Sequence, residues 1–332
     1  MSRPGRYGFI LAKVYGIIAR SYVGKNYRDV LRFKKLSELY DHLYPGERSE
    51  THPDGLSADL EKRIARGAIR SMARVLDILG TPPVPILLHM LRKYEYQNLK
   101  VLVRGVAHGH TDAAHLWDLD AYAGLSYEPG QNPENAIASS PYAWVIPLVK
   151  SAPLAQVENE IDRSYYERLQ ALTRDLPAAD RVGVTRLVSL QISLSNVVWA
   201  LRLRFSFRME WERARKMLIP GSRGLKLASV ARVFEIAPDA VEEWKSWKFS
   251  WLLDDQFGDS FRAPDPQRAE LKARQALYTK AHQLFHQNPF TLGPLVAFFT
   301  LKEQETALLT TAVEALQLSL SEQEALAITG SL

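Results

Sequence analysis

Residues 85–104 read Pro-Ile-Leu-Leu-His-Met-Leu-Arg-Lys-Tyr-Glu-Tyr-Gln-Asn-Leu-Lys-Val-Leu-Val-Arg. A proline opens the run, an apolar segment follows, and charge closes that segment at Glu95. Proline suits the first turn of a helix, where its missing N–H would have had no partner. Around Asn98, residues Leu91, Glu95, Leu99, Leu102 and Val106 recur at helical spacing and define one apolar face. Glu95 and Asn98 interrupt that face. Burying a carboxylate or an amide without partners costs several kcal/mol, so both are expected to be hydrogen-bonded within the fold, to the start of a neighbouring helix for example.

Working outward, the same pattern returns. Pro294-Leu-Val-Ala-Phe-Phe-Thr-Leu-Lys-Glu-Gln-Glu305 is again a proline-started apolar run ending in acid. A related helix lies at Arg186–Arg204, uncharged between Leu187 and Leu201, with Asn196 among Ile192, Val197, Ala200 and Leu201. Aligning Asn98, Asn196 and Leu308 gives spacings of 98 and 112 residues. The spacing predicts three related helical units of roughly 100 residues each, with boundaries at 1–125, 126–222 and 223–332. Glu95, Asn98, Asn196 and Glu305 are the repeated structural positions. Ser193 stands in the second copy where the first has an acid.

The rest of the chain agrees with an all-α fold. Leu60–Leu79, Glu158–Thr173 and Glu270–Gln287 are rich in Ala, Leu, Arg and Glu, and strand-like alternation is scarce. Proline, glycine and small polar residues predict loops at Tyr44–Ser57, Glu128–Pro141, Pro220–Gly224 and Phe257–Pro266. With 332 residues, 46% apolar and 24% charged, the composition is that of a globular chain with more than one core. It has no cysteine, which excludes disulfides, thiolate metal sites and cysteine catalysis. The net charge of +5 is modest for this length and argues against a dedicated nucleic-acid binder. The apolar stretch Tyr7–Ala19 follows Arg3 and Arg6 but is broken by Lys13, unlike a signal peptide. The uncharged run Phe290–Leu301 is too short to cross a bilayer. Membrane association is therefore expected to be peripheral or through a partner.

Lys93–Arg104 resembles the acidic-x-x-Asn-Leu-Lys-x-Leu-Leu-Arg helix of the connecting subunit of rotary ATPases, the C subunit of archaea and bacteria and the d subunit of eukaryotes. Asn288–Glu305 is similar to that family's C-terminal signature, an Asn-Pro and Gly-Pro run into a Lys-Glu-x-Glu helix. Leu318–Leu326 resembles its closing Gly-Leu-Ser-x-Glu-Glu segment, and Val157–Tyr166 the helix that opens its second unit. Where the family's last copy usually has Asn-hydrophobic-Arg, this chain has Leu308-Leu-Thr310. The resemblance implies a funnel of three quasi-equivalent units with pseudo-threefold symmetry. It also implies a non-catalytic rotor subunit on the cytoplasmic side of a membrane, between the central-stalk subunits and the membrane ring, with no cofactor. An independent helical-repeat scaffold for soluble partners is the alternative from a different class.

Four other features invite functional readings. His108-Gly-His-Thr-Asp-Ala-Ala-His115 is rich in metal-binding side chains, but the last histidine is two positions late for the metallohydrolase His-x-His-x-Asp-His motif, so a solvated loop is expected. Gly24-Lys25 is followed by Asn26, where a phosphate loop needs Ser or Thr. Arg202–Lys216 interleaves cations and aromatics in the manner of a single-strand binder; a helix with inward aromatics and a solvated face is the simpler expectation. Trp244, Trp247 and Trp251 fit one core-facing helical stripe. No nucleophile, base and oxyanion donor assemble in the sequence, and the chain reads as a non-enzyme.

Overall fold

The long Ala-, Leu- and Arg-rich segments are helical, the last of them as far as Phe285, in the computed structural model, which describes residues 3–47, 55–109, 111, 116–128, 130–220, 227–258 and 260–329. In chain order the helices are α1 (Arg3–Ile18), α2 (Tyr27–Val30), α3 (Leu36–Leu43), α4 (Leu56–Leu79), α5 (Pro85–Leu91), α6 (Lys93–His108), α7 (Pro133–Ala138) and α8 (Ile146–Ser151). They continue with α9 (Leu154–Arg174), α10 (Ala178–Phe205), α11 (Trp211–Met217), α12 (Leu227–Glu235), α13 (Val241–Ser246), α14 (Pro266–Phe285), α15 (Gly293–Gln317) and α16 (Glu322–Thr329). No strand occurs among the described residues. The fold is all-α.

Two compact units result. The first joins Met1–Gly80 to Gln267–Leu332, and the second is the intervening Thr81–Pro266. Residues 1–80 of the expected segment 1–125 thus pack with the far end of the chain. In the first unit α4 and α15 lie side by side, with α1 against both. Leu60 and Ile64 of α4 meet Leu308, Ala312 and Val313 of α15 in one core, joined by Val30, Leu39 and Tyr40. Gly24 lies at φ +72, where a Cβ would come within 2.5 Å of the Tyr278 hydroxyl, so the glycine answers a tight turn and a close approach.

In the second unit α9 pairs with α10, α6 packs on α7 and α9, and α10 also meets α11 and α12. Its core under α6 contains Leu99, Leu102 and Val103 with Ile137, Val145, Val157 and Ile161. Helix α10 runs for 28 residues. By length and composition it would cross a bilayer, yet 67% of its most apolar window is buried inside the fold. Its hydrophobicity is used on its own neighbours.

Four local expectations are corrected. The expected loop Glu128–Pro141 contains α7, because Asn132 accepts from the Glu134 and Asn135 amides and Pro133 takes the first turn. The tryptophans do not share a helix: α13 stops at Ser246, Trp247 is extended, and Trp251 lies in a 3₁₀ turn and is 37% exposed. Trp244 and Trp247 are buried, and their indoles donate to the carbonyls of Ala237 (3.0 Å) and Ser229 (2.8 Å). Arg202–Lys216 is not one helix either, since α10 ends at Phe205 and Arg208 has φ +50 before α11. Similarly, the run from Pro85 is divided at Arg92, whose ψ of −2 separates α5 from α6.

Candidate functional site

Asn98 is buried on α6 and Asn196 on α10. An asparagine side chain carries the same donor and acceptor pair as a peptide group, so it can close a two-bond ring on the backbone of a single residue. Asn98 Nδ2 donates to the Trp117 carbonyl at 2.7 Å, and its Oδ1 accepts from the Trp117 amide at 2.7 Å. Asn196 does the same with Ile219, donating to its carbonyl at 2.9 Å and accepting from its amide at 2.8 Å. Asn98 therefore pins the loop that follows its own helix, and Asn196 the segment that follows α11, the next helix along. The partners are loop peptides rather than a helix start.

The two acids do related work. Glu95 is fully buried. Its Oε1 accepts from the amides of Gly124, in a short bond, and Leu125 (2.5 Å), while Oε2 accepts from the Tyr142 hydroxyl at 2.6 Å. Arg92, three residues earlier, lies 3.6 Å from Oε2 and donates its Nε to the Tyr122 carbonyl at 3.0 Å. Burial, followed by the Glu95 charge, drives the Tyr142 phenol above its ordinary pKa, so it remains a donor to the carboxylate. Glu305 accepts from the Tyr22 amide at 2.8 Å and forms a close ion pair with Lys302, again three residues earlier. Burial first, and Glu305 second, raise the pKa of the Tyr22 phenol.

All four positions singled out in the sequence are buried and partnered. Tyr142, Arg92, Tyr22 and Lys302 were not singled out. Arg92 and Lys302 carried a signal in their constant offset from an acid; Tyr142 and Tyr22 carried none, because they lie far along the chain from the groups they bind. A further unforeseen polar core group is His89 on α5. Its ring stacks on Tyr165 with centroids 4.8 Å apart, and Nε2 donates to the Tyr165 carbonyl at 2.8 Å.

Replacing Asn98 by leucine strands the Trp117 amide and carbonyl, and replacing Asn196 strands those of Ile219. Each change is expected to cost about 1 to 3 kcal/mol, the penalty of unpaired buried polar groups. Chemical denaturation checks it; midpoints within error of the parent for both variants would remove the pinning role.

The other candidates assemble little. Among the described residues no cluster of three or more His, Asp or Glu is placed to hold a metal. His110, Asp112 and His115 lie outside the described residues, as do Arg223 and Lys226 of a second basic stretch, 223–232.

Fold and site together define an all-helical protein whose buried asparagines and acids hold loops to long helices. The sequence places it within that class: residues 10–327 match the model of the ATP synthase (C/AC39) subunit family, and the chain belongs to that family. It is 25% identical to an uncharacterized protein of Treponema pallidum over 305 residues, 90% of this chain and 88% of that protein. It is 21% identical to the C subunit of the A-type ATP synthase of Methanosarcina mazei over 230 residues, covering 65% of this chain and 61% of that one. The corresponding protein of Methanosarcina barkeri is 20% identical over 257 residues, 74% of this chain and 69% of its own length.

Proposed function

We propose that this chain is the non-catalytic rotor subunit of a V/A-type rotary ATPase, linking the central stalk to the membrane ion-carrying ring. In that role it transmits torque for ATP-coupled proton or sodium transport, on the cytoplasmic side of the membrane and held there by partner subunits. The observation that carries this reading is the family match across residues 10–327. The two Methanosarcina relatives, each named as the C subunit of an A-type ATP synthase, support it.

The construction suits the task. Torque transmission needs stiffness and complementary surfaces rather than a reactive group, and close-packed helices resist deformation. Loops are normally the softest parts of a helical protein. Here Asn98, Asn196, Glu95 and Glu305 tie loop backbone to helices. The three-unit reading, with boundaries near 125 and 222, belongs to the same proposal. In its favour are the matching two-bond rings of Asn98 and Asn196, and the cation three residues before Glu95 and Glu305.

Tagged chain purified from its source should bring down catalytic and stalk subunits of the ATPase. Recovery of the chain without any of them, or with unrelated soluble partners only, would replace the rotor by a free scaffold.

The basic stretches 202–216 and 223–232 are the proposed contribution to the ring contact. Several of their cations have internal work: Arg204 donates to the Val233 carbonyl, Arg215 pairs with Glu212, and Arg232 faces Glu235 and Glu243. Arg208, Arg213 and Lys216 remain on the surface, as does Phe207, which is 62% exposed. Burial would supply the main attraction of such a joint and charge its orientation. Reversing Arg213 and Lys216 together is expected to release the soluble sector from membranes, more readily at high salt, with the isolated subunit still folded. Unchanged membrane-bound ATPase across salt concentrations would eliminate this face.

A further inference from the structure

Two histidines stand side by side at the end of α14. His282 lies in its last turn, and His286 follows Phe285, the final helical residue. A spacing of four residues is little more than one turn, so both side chains leave the same face. Their ring centroids are 4.7 Å apart, with the planes at 62° to each other. Both residues are exposed.

Aromatic neighbours steady the two rings. Tyr15 of α1 stacks on His286, with centroids 5.6 Å apart and planes at 19°, and its own hydroxyl donates to the Phe285 carbonyl at 3.2 Å. Tyr278, one turn before His282, lies against that ring at 5.7 Å. Ring contacts of this kind do not use the nitrogen lone pairs, and among the described residues neither imidazole makes a hydrogen bond or an ion pair. Partial burial first, and the His286 ring second, lower the His282 pKa, so its imidazole is neutral at pH 7, the form in which it ligates metals.

We propose that His282 and His286 together bind one divalent transition-metal ion, each through an imidazole nitrogen, with water in the remaining positions. The spacing fits two rings sharing one ion. A metal about 2.1 Å from a ring nitrogen lies roughly 3.2 Å from that ring's centroid. Centroids 4.7 Å apart then subtend about 95° at the ion, near the right angle of square-planar and octahedral coordination. The donors select the class of metal. Imidazole suits zinc, nickel and copper, whereas calcium and magnesium take oxygen ligands; among the described residues no Asp or Glu joins the pair as a third ligand. All of these residues belong to the first unit, and the inference does not require the rotor reading. An ion held here ties the end of α14 across its last turn, and by binding only the folded chain it stabilises that unit.

The test uses the full-length, metal-free chain carrying His110→Gln and His115→Gln, so that the histidines of 108–115 do not compete. Calorimetric titration with zinc or nickel chloride should saturate at one ion per chain in the micromolar range and raise the thermal midpoint; calcium and magnesium chloride should do neither. His282→Gln and His286→Gln should each weaken binding at least tenfold, since loss of an outer-shell partner alone costs about 10- to 100-fold. His42→Gln, which removes an exposed histidine elsewhere in the same unit, should leave affinity within twofold. Adding Thr279→His to His282→Gln restores the number of histidines but sets them seven residues apart, roughly 10 Å along a helix, and should not restore binding. Circular dichroism verifies that each variant is folded, and the imidazole proton resonances of His282 and His286 in the parent should be the first to shift on adding zinc. The proposal fails if the parent binds no zinc or nickel, if those two sets of resonances do not move, or if His282→Gln or His286→Gln binds as tightly as His42→Gln. It also fails if Thr279→His recovers the affinity, since histidine number rather than the paired geometry would then decide binding.

Discussion

Replacing Glu95 by alanine is expected to destabilise the second unit by about 3 to 5 kcal/mol, the range for breaking a buried charged network from one side. The carboxylate serves the Gly124 and Leu125 amides, the Tyr142 hydroxyl and the Arg92 guanidinium. Removing it leaves all four facing a space that holds no acceptor. Tyr142→Phe deletes one bond of the set and should cost about 0.5 to 1.5 kcal/mol. Glu95→Gln keeps the volume but loses the charge and one acceptor oxygen, and should fall between. Hydrogen exchange at the Gly124 and Leu125 amides gives the local readout: both should lose protection in Glu95→Ala. If they exchange as slowly as in the parent, the carboxylate is not what holds that loop.

Acid should weaken the same unit through His89. Burial, with smaller contributions from Arg168 and Arg92, lowers its pKa from 6.5 to about 4, despite the opposing hydrogen bond to Tyr165. The folded state therefore keeps His89 neutral at pH values where the unfolded chain already binds a proton. The contribution to stability is complete above pH 6.5 and declines as pH falls toward 4, by about 3 kcal/mol in total at 1.4 kcal/mol per pH unit. Below that the folded protein binds the proton too and this loss stops growing. Denaturation midpoints measured between pH 7 and pH 4 should fall more steeply for the parent than for His89→Gln, whose side chain does not titrate. Parallel profiles would mean that His89 is not the group responsible.

These two residues also mark what the sequence disclosed. Glu95 was legible because a carboxylate on an apolar helical face has to be partnered if the face is buried, and the periodicity of Leu99, Leu102 and Val106 buries it. Asn98 and Asn196 followed by the same logic. Their particular partners were not legible, since Gly124, Trp117 and Ile219 are brought in by loops whose path no periodicity records. His89 stood in plain sight within Ile-Leu-Leu-His-Met-Leu, where the same argument would have predicted a buried, bonded ring. The long helices announced themselves through composition, while α7 was hidden by the prolines and polar residues that in fact start it. The tryptophan spacing suggested a helix that Ser246 ends too soon. Spacing restricts which residues share a face only for as long as the helix lasts.

The first compact unit is made from both ends of the chain, Met1–Gly80 and Gln267–Leu332. During synthesis, α1 to α4 leave the ribosome well before α15, the helix that completes their core. At about 5 to 20 residues per second, the intervening segment alone takes roughly ten seconds or more to emerge. Until then the apolar faces of α1 and α4 have no permanent cover, while the continuous second unit already has all of its own sequence. The order of assembly is thereby built in: the insert can fold first, and the outer unit closes last around the final helices. A nascent chain halted before Gln267 therefore retains a complete second unit and an unfinished first one, a species that chaperones should recognise by its exposed N-terminal helices.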